Sequence, residues 1–431
     1  MEGEQYGDNC IMKKFDSLIK NIFNPLGKFN NNELRYILEY LDSENEENNI
    51  HPWTARLEDA FAKKYGVKYA IAHNSGTSTL HSCLHAAGVG AGDEVIGPIQ
   101  TGIWFAFVCI QQNAIPVYID SDPETFLMDP NKIEEKITNK TKAIIPTHMH
   151  GLPSEMDTIM DIANKHNLYV IEDCAQSFLA TYKGKLSGTI GHMASFSFET
   201  KKHITTGQGG IVITDDEKLA TSVRKHAGLG YTTLTAKQGM TSLMPHQFQN
   251  PNYKRHDTLA YNYRLPEICA AMGLAQLEVL DEKVSQRKKI ARMYDSCFEK
   301  IDWIIPQKVD SGLTNSYWTY AVKYLGETKK GISWEKFYSM FNNNGGDGFY
   351  GGLANQNNET VMIEKPFYGT YLQSQSPLYK GKFDYDNQTW PIAQKIQPLM
   401  MQFKTGYRDM DKAKISINAL KKTIEDIEKN D

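Results

Sequence analysis

The sequence predicts an α/β fold in which one mostly parallel sheet of seven strands lies between layers of helices. Seven short runs rich in β-branched and aromatic residues recur through the first half of the chain, at residues 68–72, 94–98, 116–120, 143–147, 168–172, 193–198 and 210–214. Stretches with apolar residues at helical spacing, such as residues 77–87 and 155–166, separate most of these runs. Strands and helices that alternate form βαβ units, and ligands bind such sheets at the carboxyl ends of the strands.

Two helices precede the first run, and further elements follow the last. Residues 31–41 begin with a cap-like Asn and, like residues 53–65, carry apolar side chains at helical spacing. Residues 266–301 predict one long helix that leaves the large domain. The remaining predicted elements are a strand at residues 318–324 and helices at residues 334–342 and 411–428.

We expect three parts in this chain, because 431 residues exceed one usual hydrophobic core. These parts are an N-terminal arm at residues 1–30, a large α/β domain at residues 31–280 and a smaller C-terminal α+β domain at residues 281–431. An irregular tract rich in Gly, Asn, Gln and Tyr runs through residues 343–387 of the small domain. A loop of that length is either functional or locally disordered.

The composition excludes several classes of protein. Hydrophobic residues make up 41% of the chain and charged residues 23%, which is ordinary for a soluble globular protein. A net charge of -4 provides no basic surface for nucleic acid. No apolar run approaches the roughly 18 residues of a membrane span, and the N-terminus lacks the pattern of a signal peptide.

The cysteines indicate neither a metal site nor a disulfide framework. They are scattered along the chain, at Cys10, Cys83, Cys109, Cys174, Cys269 and Cys297. No C-x-x-C pair and no matching histidine spacing accompanies them, so reduced thiols in a cytoplasmic protein are expected.

Residues 195–210 are the stretch with the strongest chemical signal, and they read SFSFETKKHITTGQGG. A strand end is followed by two lysines and then by glycines that permit a tight turn. A lysine held there against a pocket would lose hydration, its pKa would fall, and it would become a nucleophile toward an aldehyde. A solvated lysine pair on a surface loop is the alternative, because most charged residues are exposed.

Three more features directly follow predicted strands or lie near the end of the sheet region. Residues 74–78, NSGTS, open a helix, where free backbone N–H groups can bind phosphate, although Ser and Thr are also plain helix caps. Asp173 lies at the tip of an apolar strand, so it needs a cationic partner or open water. Residues 261–264 read YNYR. A phosphate site, a carboxylate for a pyridine nitrogen and a lysine for an aldehyde together indicate pyridoxal 5'-phosphate chemistry.

These motifs make the chain resemble the fold-type I sugar aminotransferases of the DegT/StrS group, which make amino sugars from nucleotide-linked keto-sugars. The resemblance rests on the motifs SGTSTLH, GAGDEVIGP, IEDCAQS, SFSFETKKHITTGQGG and YNYRLPE in the expected order. It implies a fold-type I transferase that uses pyridoxal 5'-phosphate, a keto-sugar and L-glutamate as amino donor. It also implies a role in amino-sugar and polysaccharide biosynthesis.

The resemblance further implies roles for individual residues at the lysine loop and the phosphate site. Lys202 would bond covalently to the cofactor aldehyde, because the family places its lysine five residues before the G-x-G-G turn that begins at Gly207. Ser197 would bind the cofactor phosphate together with the backbone at Thr77 and Ser78.

Around the ring of the cofactor, Asp173 would pair with the pyridine nitrogen and Gln176 with the phenolic oxygen. Asn262, in the YNYR motif, would reach the cofactor phosphate of a neighbouring subunit, which implies a homodimer with two shared active sites.

Two departures from the family pattern lie close to these residues. Gln208 replaces the glutamate of the usual GEGG turn, which removes one negative charge. Gly102 stands where the family commonly has an aromatic residue that stacks on the cofactor ring, which leaves Trp104 and Phe105 as candidates for that role.

Three alternatives stay open at the level of the sequence. A sugar dehydratase of the same fold uses a histidine in place of the lysine, and His203 adjoins Lys202. A homologue without turnover could keep the fold for regulation. His148 and His150 suggest a metal, but the sequence offers no third ligand, so a structural or substrate-side role is expected.

Overall fold

The computed structural model describes residues 29, 31–43, 52–239, 243–365, 385 and 387–429. The predicted N-terminal arm lies outside the described residues apart from Phe29, and so does much of the predicted irregular tract. None of the helices in the described ranges combines the length and apolar character required to cross a membrane.

The described strands and helices follow the alternating order that the sequence predicts. The strands are β1 Tyr69–His73, β2 Glu94–Pro98, β3 Ile115–Ile119, β4 Thr141–Ile144, β5 Tyr169–Asp173, β6 Thr181–Tyr182, β7 Lys185–Leu186, β8 Met193–Ser197, β9 Gly210–Thr214, β10 Ile304–Pro306, β11 Leu313–Thr314, β12 Thr319–Tyr324, β13 Tyr350–Gly351 and β14 Met400–Lys404. The helices are α1 Glu33–Ser43, α2 Trp53–Tyr65, α3 Gly76–Ala86, α4 Trp104–Gln111, α5 Met156–His166, α6 Glu217–Ala227, α7 Pro245–Gln249, α8 Glu267–Glu278, α9 Leu280–Phe298, α10 Gly326–Lys330, α11 Trp334–Asn343, α12 Thr360–Glu364, α13 Pro391–Ile396 and α14 Met410–Glu428.

The central sheet confirms the predicted fold class. In the described part of the chain, seven strands lie in the order β1-β9-β8-β5-β4-β2-β3. All of them run in one direction except β9, which pairs antiparallel with both β1 and β8. The seven predicted β-rich runs correspond one to one with these strands. Helices α3, α4 and α6 cover one face of the sheet, where Leu84, Val108 and Val223 share a buried core.

A second sheet belongs to the C-terminal part of the chain. Strands β10, β12, β14 and β13 are antiparallel neighbours in that order. They pack with α9, α11 and α14 around Trp303, Phe337, Phe403 and Leu420, all of which are buried. This arrangement confirms the smaller α+β unit that the sequence predicts.

The prediction of one long helix at residues 266–301 is wrong, because the helix is interrupted at Val279 and divides into α8 and α9. Val279 has φ -105° and ψ 11°, outside the helical region. In an unbroken helix its N–H would bond to the carbonyl of Ala275. That carbonyl instead accepts a hydrogen bond from the side-chain amide of Asn31 at 2.8 Å, and the helix ends there.

The predicted boundary at residue 280 stays a prediction, and two observations bear on it. Leu280 and Val284 of α9 pack in the core beneath the large sheet, whereas Phe298 packs in the C-terminal core. Later residues also return to the large sheet. The Trp390 indole N–H donates to the Tyr118 carbonyl at 3.1 Å, and its side chain is buried against that sheet.

Candidate active site

The lysine loop joins β8 to its antiparallel neighbour β9 at the carboxyl end of the sheet. The N–H of Phe198 bonds to the Gly209 carbonyl at 2.8 Å, and the N–H of Thr206 bonds to the Phe198 carbonyl at 3.1 Å. Gly207 has φ 83°, a conformation that glycine adopts without strain. The loop is therefore held at both ends and projects Lys202 from a fixed base.

Lys202 lies between two tryptophans. Its Nζ is 4.8 Å from the ring centre of Trp318 and 5.9 Å from that of Trp104. Burial lowers the pKa of Lys202, and the nearby carboxylate of Asp173 opposes that shift. A lowered pKa increases the fraction of neutral amine, which is the nucleophilic form.

Asp173 ends β5 and is 1% exposed. Its carboxylate accepts hydrogen bonds from the N–H of Ala175 at 3.1 Å and from the indole N–H of Trp104 at 3.2 Å. Burial nevertheless raises the pKa of Asp173, although both bonds and the charge of Lys202 act in the opposite direction. The carboxylate is thus short of partners for a charge buried this deeply, and it would gain from a further positive group.

Trp104, and not Phe105, is the aromatic residue that reaches the site. Phe105 points into the core that α3, α4 and α6 form against the sheet, where the centre of its ring lies 6.0 Å from that of Tyr118. A Cβ at Gly102 would lie 1.8 Å from Cζ3 of Trp104. The indole therefore occupies the space that a side chain at position 102 would need, and the glycine is required for that placement.

The predicted phosphate site lies at the first turn of α3. Ser75 caps the helix by accepting a hydrogen bond from the N–H of Ser78 at 3.1 Å. The N–H groups of Gly76 and Thr77 have no acceptor among the described residues. A Cβ at Gly76 would lie 2.7 Å from Cβ of Ser197, so the serine side chain borders the same turn. Free N–H groups at a helix N-terminus form a ready site for an anion.

Gln176 is buried with its side-chain amide oriented by the backbone. Its Oε1 accepts a hydrogen bond from the N–H of His150 at 2.7 Å. His150 has φ 63°, a strained conformation for a residue with a side chain, and this conformation directs its N–H at the glutamine. Because the oxygen is occupied, the NH₂ group of Gln176 is the part left to donate, as a phenolic oxygen would require.

Asn262 is exposed, and its Oδ1 accepts a hydrogen bond from Nε of Arg264 at 2.9 Å. The segment is attached to the phosphate turn, since the N–H of Asn74 bonds to the carbonyl of Tyr263 at 2.7 Å. The structure thus brings Lys202, Asp173, Gln176, Ser197 and the α3 turn to one edge of the sheet, whereas Asn262 faces solvent within this chain.

The histidines that the sequence raised as alternatives point elsewhere. His203 is buried with its Nε2 3.1 Å from the carbonyl of Ser316 and its ring 5.5 Å from Phe178, so it does not share the position of Lys202. His148 lies with Glu172 and Cys174 in a buried group whose ligand-type atoms are within 4.8 Å of one another. The nitrogen and oxygen atoms of this group are already hydrogen-bonded, which leaves a closed network in place of a metal site.

The geometry fits pyridoxal 5'-phosphate. The α3 turn offers N–H donors without acceptors, the buried Asp173 is under-partnered, and a lysine with a lowered pKa stands beside it. A donor for the phosphate, an acceptor for the protonated pyridine nitrogen and an amine for the aldehyde are the three groups that this cofactor needs.

Comparison with known proteins agrees with this interpretation. A sequence profile of the DegT/DnrJ/EryC1/StrS aminotransferase family matches residues 28–416. The chain belongs to this family. Its members depend on pyridoxal 5'-phosphate, and the chain is a sugar aminotransferase of this kind.

Individual relatives support the family assignment over most of the chain. GDP-perosamine synthase of Caulobacter vibrioides is 40% identical over 303 residues, which are 70% of this chain and 76% of that protein. GDP-perosamine synthase of Escherichia coli O157:H7 is 38% identical over 293 residues, 67% of this chain and 74% of that protein. The solved structure of an aminotransferase from Psychrobacter cryohalolentis has a TM-score of 0.77 at 28% identity and covers 92% of this chain and 97% of that one.

Trp318 is a residue of the site that sequence reasoning missed. In the sequence it reads only as the start of a strand. The structure places its ring over Lys202 and bonds its indole N–H to the carbonyl of Lys201 at 2.9 Å. An aromatic residue at the end of a small-domain strand gives no local signal for this contact across 117 residues.

Proposed function

We propose that this aminotransferase converts a nucleotide-linked keto-sugar into an amino sugar with L-glutamate as amino donor, and that Lys202 is its catalytic residue. The observation that supports this most strongly is the placement of Lys202, with a lowered pKa, beside the under-partnered Asp173. The names of the relatives support a sugar that is attached to a nucleotide, with GDP as the first candidate for that nucleotide.

Bound pyridoxal 5'-phosphate would supply an aldehyde carbon that bonds to amines and a ring that accepts electrons. The carboxylate of Asp173 would pair with the ring nitrogen and keep it protonated, because a nearby negative charge favours the charged form of a base. Ser197 and the free N–H groups of Gly76 and Thr77 would bind the phosphate. Lys202 Nζ would hold the cofactor through its aldehyde carbon and would serve as the general base that moves a proton during the reaction.

We also propose that the enzyme is a cytoplasmic homodimer in which Asn262 completes the partner's site. Asn262 is exposed although its neighbour Tyr263 is tied to the phosphate turn, as expected for a residue that serves a second subunit. The described cysteines are all unpaired, which is typical of a reducing compartment.

The decisive experiment is a visible absorption spectrum of the cofactor-loaded protein before and after L-glutamate, followed by borohydride trapping and peptide mapping. We expect a yellow band that fades with glutamate, and a cofactor label that maps to Lys202. Lys202→Ala should lose turnover entirely, whereas the exposed Lys185→Ala serves as a matched control with unchanged activity. A label on another residue, or wild-type activity in Lys202→Ala, would contradict the assignment.

Sharing of sites between subunits is tested by mixing inactive variants. Lys202→Ala and Asn262→Ala subunits should each be weak or inactive alone. A hybrid dimer would contain one site with an intact lysine from one subunit and an intact asparagine from the other, so activity should return on mixing. If mixed subunits exchange but stay inactive, Asn262 does not act across the dimer.

A further inference from the structure

A cavity of about 940 Å³ opens beside Lys202 and Trp318, and the rest of its wall has no role assigned so far. The start of α9 and the segment that follows β14 form other parts of its wall, including Arg287 and Arg408. Tyr350, which is 56% exposed, lies at its edge. The volume falls within the range of roughly 300–1,000 Å³ typical of pockets for molecules larger than an amino acid.

The charges on the cavity wall are strongly unbalanced. Of the described residues that line it, six are lysines or arginines and one is a carboxylate, Glu282; the cations are Lys201, Lys202, Lys283, Arg287, Lys404 and Arg408. Lys404 pairs with Asp347 at 3.2 Å. Within the described part of the chain, no carboxylate lies within ion-pair distance of Arg287 or Arg408. Cations that share a cavity without a counter-charge repel one another, unless an anion binds between them.

Arg287 is a half-buried member of this group and is held in place by neutral groups. Its Nη1 donates to the carbonyl of Trp318 at 2.8 Å and to the hydroxyl of Thr405 at 2.9 Å. Burial and, to a lesser extent, the neighbouring charge of Arg408 together lower the pKa of Arg287 to about 10. Gln286 donates to the carbonyl of Arg408 at 3.2 Å, which fixes the two segments side by side.

Gly406 explains how the guanidinium of Arg287 fits there. A Cβ at this position would lie 2.8 Å from Nη2 and 3.1 Å from Cζ of Arg287. The glycine does not have a positive φ, so its backbone conformation does not require it. The close approach of the guanidinium favours a glycine here, because a side chain at position 406 would occupy the space in which Arg287 lies.

We propose that Arg287 and Arg408 bind the diphosphate of the nucleotide-linked sugar, and that Gly406 leaves the room that the Arg287 guanidinium needs in the cavity wall. This inference rests on the proposed function. Planar guanidinium groups bind phosphate oxygens through paired hydrogen bonds, and two such groups suit two linked phosphates. The size of the cavity favours a nucleotide sugar over the much smaller glutamate, whose carboxylate shares the same chemistry.

The first test measures binding of GDP and of UDP to the cofactor-loaded enzyme by titration calorimetry. Arg408→Gln should weaken the better ligand by about 10- to 100-fold, the effect of losing a hydrogen bond to a charged group. Lys412→Gln is the matched control, because this exposed lysine lies on α14 outside the cavity and its loss also removes one positive charge. Unchanged affinity in Arg408→Gln would overturn the proposal.

The second test keeps every charge. Gly406→Ala should push the guanidinium of Arg287 aside, raise KM for the sugar nucleotide by about tenfold and leave KM for L-glutamate unchanged. A rise in KM for glutamate alone would assign the cations to a carboxylate and refute the diphosphate. The two proposals can also fail separately. If the wild type shows no half-reaction with glutamate but Arg408→Gln binds the nucleotide more weakly than the wild type, the proposed function is wrong and the nucleotide site is retained.

Discussion

Glu172 and Asp173 are neighbouring carboxylates at the end of β5, each at most 1% exposed, yet the regions around them differ in kind. On one side, Glu172 accepts hydrogen bonds from the backbone N–H groups of Gly188, Ile190 and Gly191, and from Nε2 of His148. The N–H of Ser154 donates to Nδ1 of His148, which fixes the ring proton on Nε2. On the other side, Asp173 accepts two hydrogen bonds from within the described chain.

This difference is reflected in the pKa values of the two carboxylates. The four donors around Glu172 lower its pKa in spite of complete burial, whereas burial raises the pKa of Asp173. A charge that the fold itself satisfies stabilises the fold, and a charge left short of partners is available to a ligand. The comparison therefore predicts that substitutions at these adjacent positions act on different properties.

The largest expected effect is on catalysis at Asp173. Asp173→Asn should lower the rate of the glutamate half-reaction by roughly 10²- to 10³-fold, because a neutral amide cannot hold a proton on the ring nitrogen. The unfolding free energy of the cofactor-free protein should change by less than about 1 kcal/mol, since that charge is poorly satisfied. Stopped-flow absorbance and urea unfolding measure the two effects. Full activity in Asp173→Asn would contradict the proposed role of Asp173 in catalysis.

Glu172→Gln should have the reverse profile. Its amide nitrogen would face two of the four donors, so the unfolding free energy should fall by about 2–4 kcal/mol. The exposed Glu135→Gln is the matched control and should stay within about 0.5 kcal/mol of wild type. If Glu172→Gln unfolds at the same urea concentration as this control, the anchoring role is wrong.

A smaller effect, on cofactor binding, is expected at Trp104, whose indole N–H donates to the carboxylate of Asp173. Gly102→Trp should clash with the indole of Trp104 and weaken cofactor binding by about tenfold, comparable to the loss of one good aromatic contact. Adding Trp104→Ala to that variant removes the clash and should restore affinity. Equilibrium dialysis with pyridoxal 5'-phosphate measures both steps. If the double variant does not recover affinity, a tryptophan at position 102 cannot replace Trp104 as the aromatic residue that contacts the cofactor.

The smallest expected effect lies in the pH dependence of stability of the cofactor-free protein. The lowered pKa of Glu172 contributes stability above its usual value of 4.5, and this contribution is lost as the pH falls. The unfolding free energies of wild type and Glu172→Gln should therefore converge below about pH 4.5. The pKa of Asp173 is raised, so its effect on stability runs in the opposite direction. The unfolding free energy of the wild type should therefore increase relative to that of Asp173→Asn as the pH falls. Parallel curves for both variants would contradict these directions.

The sequence predicts those features that depend on neighbours along the chain. The sheet strands follow from short runs of β-branched residues, and the lysine loop follows from a strand end next to glycines. Helix α8 ends at Glu278 beside a long-range contact, in which Asn31 donates to the carbonyl of Ala275, 244 residues away. Similarly, Gly406 meets Arg287 only in the folded chain. Contacts of this range leave no periodicity or spacing that sequence reasoning could use.

The reversal of β9 decides how the lysine is enclosed. A parallel neighbour would require a crossover helix between the two strands, and that helix would lie across a face of the sheet. An antiparallel neighbour needs only the twelve residues from Phe198 to Gly209. The ring of Trp318, which directly precedes β12 of the second sheet, lies over Lys202. Lys202 therefore projects from a loop of the large sheet and contacts an aromatic residue beside the second sheet.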